Sequence, residues 1–157
     1  MTRARDLSNF ATPINTVQPA FLAQKDGGQD NMAIDSNVTI TFETEIFDQN
    51  ADYNVNGTFT APVTGKYQFN FSVRVGNLDE TADFSRMLLI TSNRTYFDSI
   101  IDPAGFDQDL PFYHFNFSVL ADMDANDTAI VAYNQGGGAA QVDAINDQCH
   151  FSGFLAC

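Results

Sequence analysis

The segment Lys66–Val75 alternates without a break between apolar and polar side chains. Successive side chains of a β-strand point to opposite faces of a sheet, so this pattern predicts a strand with one buried face and one hydrated face. Such strands are typical of antiparallel sheets that cover a core on one side only. The buried face is strongly aromatic and consists of Tyr67, Phe69, Phe71, Val73 and Val75, and the hydrated face consists of Lys66, Gln68, Asn70, Ser72 and Arg74.

Eight further segments are rich in β-branched and aromatic residues, and the stretches between them are rich in Gly, Asn, Asp and Pro. Both features are typical of short strands joined by turns. No segment shows the period of an amphipathic helix, so the sequence predicts an all-β sandwich or jelly roll of about nine or ten strands. The further predicted strands are Phe21–Ala23, Val38–Phe42, Asn56–Thr60, Phe84–Thr91, Thr95–Ser99, Phe112–Leu120, Thr128–Tyr133 and Cys149–Cys157.

The charge of the chain excludes two classes of partner. The 157 residues carry a net charge of −13. Nucleic-acid binding needs a basic surface, and anionic membranes attract basic segments, so neither partner is expected. No apolar run reaches the roughly 18–20 residues of a membrane-spanning helix. The opening residues contain no continuous apolar segment, so we expect no secretory signal peptide.

The same charge divides the chain into two regions. Residues 1–18 contain Arg3, Arg5 and Asp6, a net charge of +1, whereas the remaining five basic and 19 acidic residues give −14. We therefore expect a short N-terminal arm, residues 1–18, followed by one domain, residues 19–157.

Cysteine and histidine are too sparse to indicate catalysis. The adjacent Cys149 and His150 lie in a predicted strand, so their side chains should point to opposite faces and cannot form a catalytic pair. In that strand Cys157 lies about 26 Å from Cys149 at about 3.3 Å per residue, and a disulfide needs Cα atoms within about 7 Å. We expect two buried thiols, as in a protein assembled in a reducing cytosol.

Two acidic stretches and one glycine-rich stretch contain the residue types of metal, catalytic or phosphate sites. The segment Asp122–Asp127 begins like a calcium loop, but its sixth position is Asp127 instead of Gly and its twelfth is Tyr133 instead of Glu. A turn with Asn126 in a left-handed conformation is favoured, which leaves open a surface calcium ion held by acids of several loops or chains. Asp107 and Asp109 are expected in an acidic loop and not as the carboxylate pair of a glycan hydrolase. Gly136–Gly138 is interpreted as a mobile strand connector without a phosphate site.

Several motifs, in the same order along the chain, carry a family resemblance. Gly57–Gly65 reads GTFTAPVTG and is followed by Tyr67 and Phe69, and Phe151–Leu155 reads FSGFL. Over residues 19–157 the chain resembles the globular C1q head, the jelly-roll module of the C1q and tumour-necrosis-factor superfamily. Further matching positions are Pro19-Ala20-Phe21, Thr41-Phe42, Asp52-Tyr53-Asn54 and Asn126-Asp127.

The resemblance implies a ten-stranded jelly roll that assembles as a homotrimer, with no catalysis and no cofactor. It also implies a set of residues that form the fold signature and core. These are Phe21, Phe42, Tyr53, Phe59, Pro62, Gly65, Tyr67, Phe69, Phe151, Gly153 and Phe154. Many members carry a collagen-like stalk before the head, and in this chain the arm occupies that place.

The opening residues MTRARDLSNF are similar to the starts of virion proteins of bacteriophages. The leading hypothesis is therefore a homotrimeric structural protein on a phage particle, assembled in the host cytoplasm, as a capsid decoration or a short head fibre. The alternative is a receptor-binding knob of a tail fibre that contacts a host glycan or protein through exposed aromatic loop residues such as Phe106 and Phe112. The arm residues expected to dock on a capsid or tail protein are Arg3, Arg5, Leu7, Phe10 and Ile14.

Overall fold

The strands of the chain form two antiparallel sheets, as the all-β prediction requires. A computed structural model describes residues 18–145 and 148–157, so the docking residues proposed for the arm, Arg3, Arg5, Leu7, Phe10 and Ile14, lie outside the described residues. The strands are β1 Ala20–Gln24, β2 Gln29–Met32, β3 Val38–Thr39, β4 Thr44–Asp48, β5 Tyr53–Asn54, β6 Thr58–Thr60, β7 Gly65–Leu78, β8 Ala82–Thr91, β9 Thr95–Ile101, β10 Leu110–Met123, β11 Thr128–Gly137, β12 Val142–Ala144 and β13 His150–Leu155.

Long strand β7 organises the first sheet. The seven-stranded sheet has the order β2-β12-β7-β13-β1-β4, and β10 pairs along the other edge of β7. The six-stranded sheet has the order β5-β6-β11-β8-β9, with β3 also paired to β11. Two antiparallel sheets that share one apolar interior form a jelly-roll sandwich. Within the described part of the chain, no helix is long and apolar enough to cross a membrane.

The interior between the sheets is built from aromatic rings. The Phe21 ring stacks on those of Tyr53 and Phe59, at centroid distances of 4.9 and 5.0 Å. Phe151 meets Phe21 edge-on at 4.9 Å. Phe69 lies between Phe59 and Phe151, at 5.4 and 5.8 Å. Offset and edge-on pairs add to the gain from burying apolar area, so this cluster contributes strongly to the stability of the fold.

The signature residues divide into core and turn positions. The buried aromatic ones are Phe21, Phe42, Tyr53, Phe59, Tyr67, Phe69 and Phe151. Pro62 is exposed in the turn before β7, and the Tyr67 hydroxyl ties this turn by donating to the Val63 carbonyl at 2.7 Å. Phe154 does not belong to the core: its side chain is 43% exposed, because it alternates with the inward-facing Gly153 along β13.

Gly65 and Gly153 are required by close packing and not by backbone conformation. A Cβ atom at Gly65 would lie 2.6 Å from Leu155 Cδ1 and 2.7 Å from the Cys157 carbonyl oxygen. At Gly153 it would lie 2.6 Å from the Phe69 ring and 2.9 Å from the Phe21 ring. Both rings are buried and packed on other rings, so neither can move aside cheaply.

We therefore expect Gly153→Ala to lower the free energy of unfolding by about 1–3 kcal/mol, the usual cost of overpacking a core. Chemical denaturation measures this value. Gly27→Ala is the matched control, because a Cβ there meets no atom within 4 Å. The two variants should differ clearly; equal stabilities would contradict the packing account.

Four strands and the end of a fifth were not predicted from the sequence. Strands β2, β4, β5 and β12 are at most five residues long and rich in polar residues, so they carry no alternation signal, and the pairing of their neighbours defines them. The connector interpretation of Gly136–Gly138 was wrong for its first two residues. Gly136 and Gly137 continue β11 against β8, and the Phe84 ring packs so closely on Gly136 that a Cβ would lie 2.2 Å from it.

The Asp122–Asp127 segment ends β10 and turns into β11, as predicted. Asn126 has a φ of 75°, in the left-handed region that asparagine tolerates. The Asp124 amide donates to the Asp127 carboxylate at 2.7 Å, and the Asp127 amide donates back to the Asp124 carbonyl at 3.0 Å. The hydrogen bonds between these two acids therefore stabilise the turn.

Candidate functional site

The cysteine and histidine side chains at the start of β13 lie on opposite faces, as predicted. Cys149 is buried, with its sulfur 2.9 Å from the Ile145 carbonyl and 3.2 Å from the Arg74 amide nitrogen. His150 lies on the outward side of the sheet, opposite Ser72. Cys157 is exposed, which corrects the expectation of two buried thiols. The two cysteines form no disulfide with each other.

Two of the acidic candidates bond to neighbouring segments of the chain. Asp109 accepts a hydrogen bond from the Glu80 amide at 2.8 Å, and Asp107 is exposed. Asp122 accepts hydrogen bonds from Arg94 at 3.0 Å and from the Tyr96 hydroxyl at 3.1 Å. The Tyr96 hydrogen bond lowers the pKa of the Asp122 carboxyl. Among residues 18–145 and 148–157, no three His, Cys, Asp or Glu side chains form a group that could hold a metal ion.

The most distinctive surface of the described chain is one side of the seven-stranded sheet. We call "outer face" the side of strands β1, β7, β10 and β13 that points away from the core. The four strands lie next to one another, and their register brings side chains from each into common rows. The outer face consists of Ala20, Leu22 and Gln24 on β1, Lys66, Gln68, Asn70, Ser72 and Arg74 on β7, Phe112, His114, Asn116, Ser118, Leu120 and Asp122 on β10, and His150, Ser152 and Phe154 on β13.

Uncharged polar side chains fill the centre of the outer face and bond to one another. The Gln68 amide donates to the Ser118 hydroxyl at 2.9 Å. That hydroxyl donates to the Asn70 side-chain oxygen, also at 2.9 Å. The Ser72 hydroxyl lies 2.7 Å from His114 Nε2. Polar groups whose hydrogen bonds are already made can be covered by another surface at a much lower cost than unpaired ones.

Large apolar side chains lie towards the ends of the outer face. Leu120 and Phe112 are 52% and 54% exposed, and Phe154 is 43% exposed. Phe47, on the neighbouring strand β4, is 47% exposed and lies opposite Leu22. Exposed apolar side chains concentrated on one surface indicate an interaction site more than isolated ones do.

The two aromatic residues expected in loops have different positions. Phe112 belongs to β10 and not to a loop, and the Arg74 guanidinium stacks on its ring at 3.7 Å from the centroid. Phe106 follows a short 3₁₀ turn, Pro103–Gly105, and is 36% exposed. Only Phe106 therefore remains as an exposed loop aromatic of the predicted pair.

Acidic residues are nearly absent from the outer face. Strands β1, β7, β10 and β13 contain one acid, Asp122, although the chain has 20. The cations Lys66 and Arg74 lie on this face together with both histidines of the chain. The other acids of the described chain lie in loops and on other strands, so the outer face differs in charge from its surroundings.

The alternation in β7 predicted the polar side chains of the outer face, but only as a hydrated surface and not as an interaction site. That Leu120, Phe154 and Phe47 belong to one surface was not predicted. The usable signal was the scarcity of acids in β1, β7, β10 and β13, where Asp122 is the one acid, and it is visible in the sequence. That signal gains meaning only when the register places the strands side by side.

A sequence profile of the C1q domain matches residues 20–156. The chain belongs to the C1q domain family. The match covers the whole described C1q domain apart from its terminal residues, and so agrees with the resemblance carried by the signature motifs. No curated protein sequence matches the chain significantly.

Solved structures show the same fold. The globular domain of zebrafish complement 1qA protein is similar at a TM-score of 0.59 and 18% identity, covering 90% of this C1q domain chain and 98% of that chain. A crystal structure of murine APRIL is similar at a TM-score of 0.58 and 8% identity, covering 88% of this chain and 99% of that chain. At these identities the likeness establishes the jelly roll of the C1q and tumour-necrosis-factor type and nothing about partners.

Proposed function

We propose that this C1q domain is a non-enzymatic head that acts as a homotrimer, with the outer face as its subunit interface. The observation that carries the proposal is the near-absence of acids from β1, β7, β10 and β13 in a chain of net charge −13. Strongly acidic chains repel one another, and ionised carboxylates are costly to bury without partners. A face that avoids acids is therefore the surface on which copies of this chain can meet.

The remaining chemistry of the outer face supports the same interface. Its central polar groups are bonded to one another, and covering Leu120, Phe154 and Phe112 removes apolar area from water. Specific protein interfaces contain both buried apolar groups and hydrogen-bonded polar ones. In a closed assembly with a threefold axis, the outer face of every chain is covered by another chain.

At a finer level, we propose that the trimer sits on the surface of a bacteriophage particle as a capsid decoration or short head fibre. Support comes from the similarity of the opening residues to phage virion proteins and from the charge of the arm, +1 against −14 for the rest. Arg3 and Arg5 would pair with carboxylates of the particle, and Leu7, Phe10 and Ile14 would supply apolar contacts. Three arms on one trimer convert weak contacts into firm attachment.

A chain that begins at Pro19 tests this proposal. We expect it to fold and form trimers with nearly the wild-type melting temperature, and to lose its association with particles that lack the decoration. Co-sedimentation with those particles measures attachment, and light scattering measures assembly. If the shortened trimer falls apart, the arm belongs to the fold, and if it still binds particles, attachment runs through the C1q domain.

The alternative is a receptor-binding knob, and the exposure of Phe106 at the 3₁₀ turn favours it. Aromatic side chains on a rigid scaffold are frequent binding anchors. Pull-down against intact host cells distinguishes the two functions. A knob binds cells and loses that binding in Phe106→Ala, whereas a decoration protein binds particles and is unaffected by this substitution.

A further inference from the structure

The two histidines of the chain meet a cation on the outer face. His114 on β10 lies directly opposite Arg74 on β7, and His150 on β13 lies opposite Ser72. The Ser72 hydroxyl, buried between the two rows, is 2.7 Å from His114 Nε2. Two imidazoles and one guanidinium therefore share a small part of the surface proposed as the subunit interface.

Few other charges face this cluster in the described chain. On β7 and β10 the remaining charged groups are Lys66 and Asp122, which lie opposite each other in the register at the other end of the strands, where Asp122 binds Arg94. On β12, Asp143 lies opposite Gly76 and already accepts hydrogen bonds from the Asn77 side chain at 3.0 Å and the Asn31 amide at 2.7 Å. Strands β1 and β13 contribute no other charged group, and Asp147 lies outside the described residues.

We propose that His114 and His150 make the assembly of this C1q domain dependent on pH, so that the trimer forms at neutral pH and dissociates when the imidazoles become charged. This inference rests on the proposed trimer. Neutral imidazoles can be covered beside Arg74, but charged ones would place up to three cations per chain in one desolvated patch.

The direction in which the association constant changes with pH follows from the number of protons bound by the separated and the assembled chains. Burial, and then the nearby His114, lower the pKa of His150 already in the single chain. Covering the outer face removes more water and lowers the imidazole pKa further. The separated chain then binds more protons than the trimer, so the association constant is greatest above the pKa of the separated chain and falls as pH decreases. Because the pKa of His150 in the single chain is already below the ordinary value of about 6.5, its contribution at about pH 5 is smaller than the roughly 30-fold loss that an ordinary histidine kept neutral would give.

The overall charge of the chain predicts no such loss. Carboxyl groups with an ordinary pKa of about 4 begin to bind protons only towards about pH 5, which slightly reduces the net charge of −13 and the repulsion between copies. Without the histidine cluster the trimer should therefore keep its strength between about pH 8 and about pH 5.

The experiment follows the mass of the full chain by sedimentation equilibrium across that pH range. We compare the wild type with His114→Gln/His150→Gln, which retains polar side chains and leaves no histidine, since the chain has two. The wild type should dissociate on acidification and the double variant should remain trimeric. Arg74→Gln keeps both imidazoles, so its dissociation should shift to lower pH, and circular dichroism checks that every variant is folded.

Four results would overturn the inference. A wild type that is trimeric at both pH values would refute it while leaving the proposed function intact. A double variant that dissociates like the wild type, or a dissociation pH unchanged in Arg74→Gln, would assign the effect to other groups. A wild type that is monomeric at about pH 8 would refute the proposed trimer and this inference together.

Discussion

Phe69→Ala is expected to destabilise the chain so strongly that it folds marginally or not at all. Removal of a fully buried phenylalanine costs about 3–5 kcal/mol, and a whole domain is stable by only about 5–15 kcal/mol. Phe69 lies in the middle of β7, 1% exposed, with ring contacts to Phe59, Tyr67 and Phe151. Its loss opens a cavity between the sheets that the surrounding rings, fixed by their own contacts, cannot fill.

Phe106→Ala provides the control, because it deletes the same atoms from an exposed position. It should change the free energy of unfolding by less than about 0.5 kcal/mol. Urea denaturation followed by circular dichroism compares the two variants. A folded Phe69→Ala protein with a wild-type midpoint would show that the aromatic face of β7 is not the core.

Leu120→Asp is expected to separate the subunits without unfolding them. The side chain is exposed in the single chain, so the substitution costs the fold little. In the proposed trimer it would bury three carboxylates, each near Asp122 on the same strand face. An uncompensated buried charge costs about 3–5 kcal/mol. Because about 1.4 kcal/mol corresponds to a tenfold change in an equilibrium constant, three copies should weaken assembly far more than a hundredfold.

Ile100→Asp is the matched control, since Ile100 is 57% exposed but belongs to the six-stranded sheet. It should remain trimeric at the concentrations where Leu120→Asp is monomeric. Light scattering on both variants, with melting curves to confirm folding, decides the point. Dissociation by Ile100→Asp and not by Leu120→Asp would place the interface on the other sheet.

The long strands could be predicted from the sequence because each carries its own signal. The alternation in Lys66–Val75 fixes which side of β7 is buried, and the same reasoning separates Cys149 from His150. The signature motifs, as a family resemblance, then predicted the jelly-roll fold. These inferences need only local side-chain periodicity and recognisable turns.

The outer face could not be predicted because it depends on register. Leu120, Phe154 and Phe47 are far apart in the sequence, and only the pairing of β10, β7, β13, β1 and β4 places them on one surface. Gly136 was misread for a related reason: its environment is set by Phe84 on the neighbouring strand. A local sequence pattern carries no information about which residues of other strands lie beside it.

The sedimentation-equilibrium mass of the wild-type chain at neutral pH and micromolar concentration tests the central claim most directly. One chain has a mass of 17.3 kDa, and the account predicts a single species of three times that mass. This species should keep its mass on dilution until the chains separate together, without a persistent dimer. A stable 17.3 kDa species under these conditions would contradict the proposed trimer and leave the outer face without the role assigned to it.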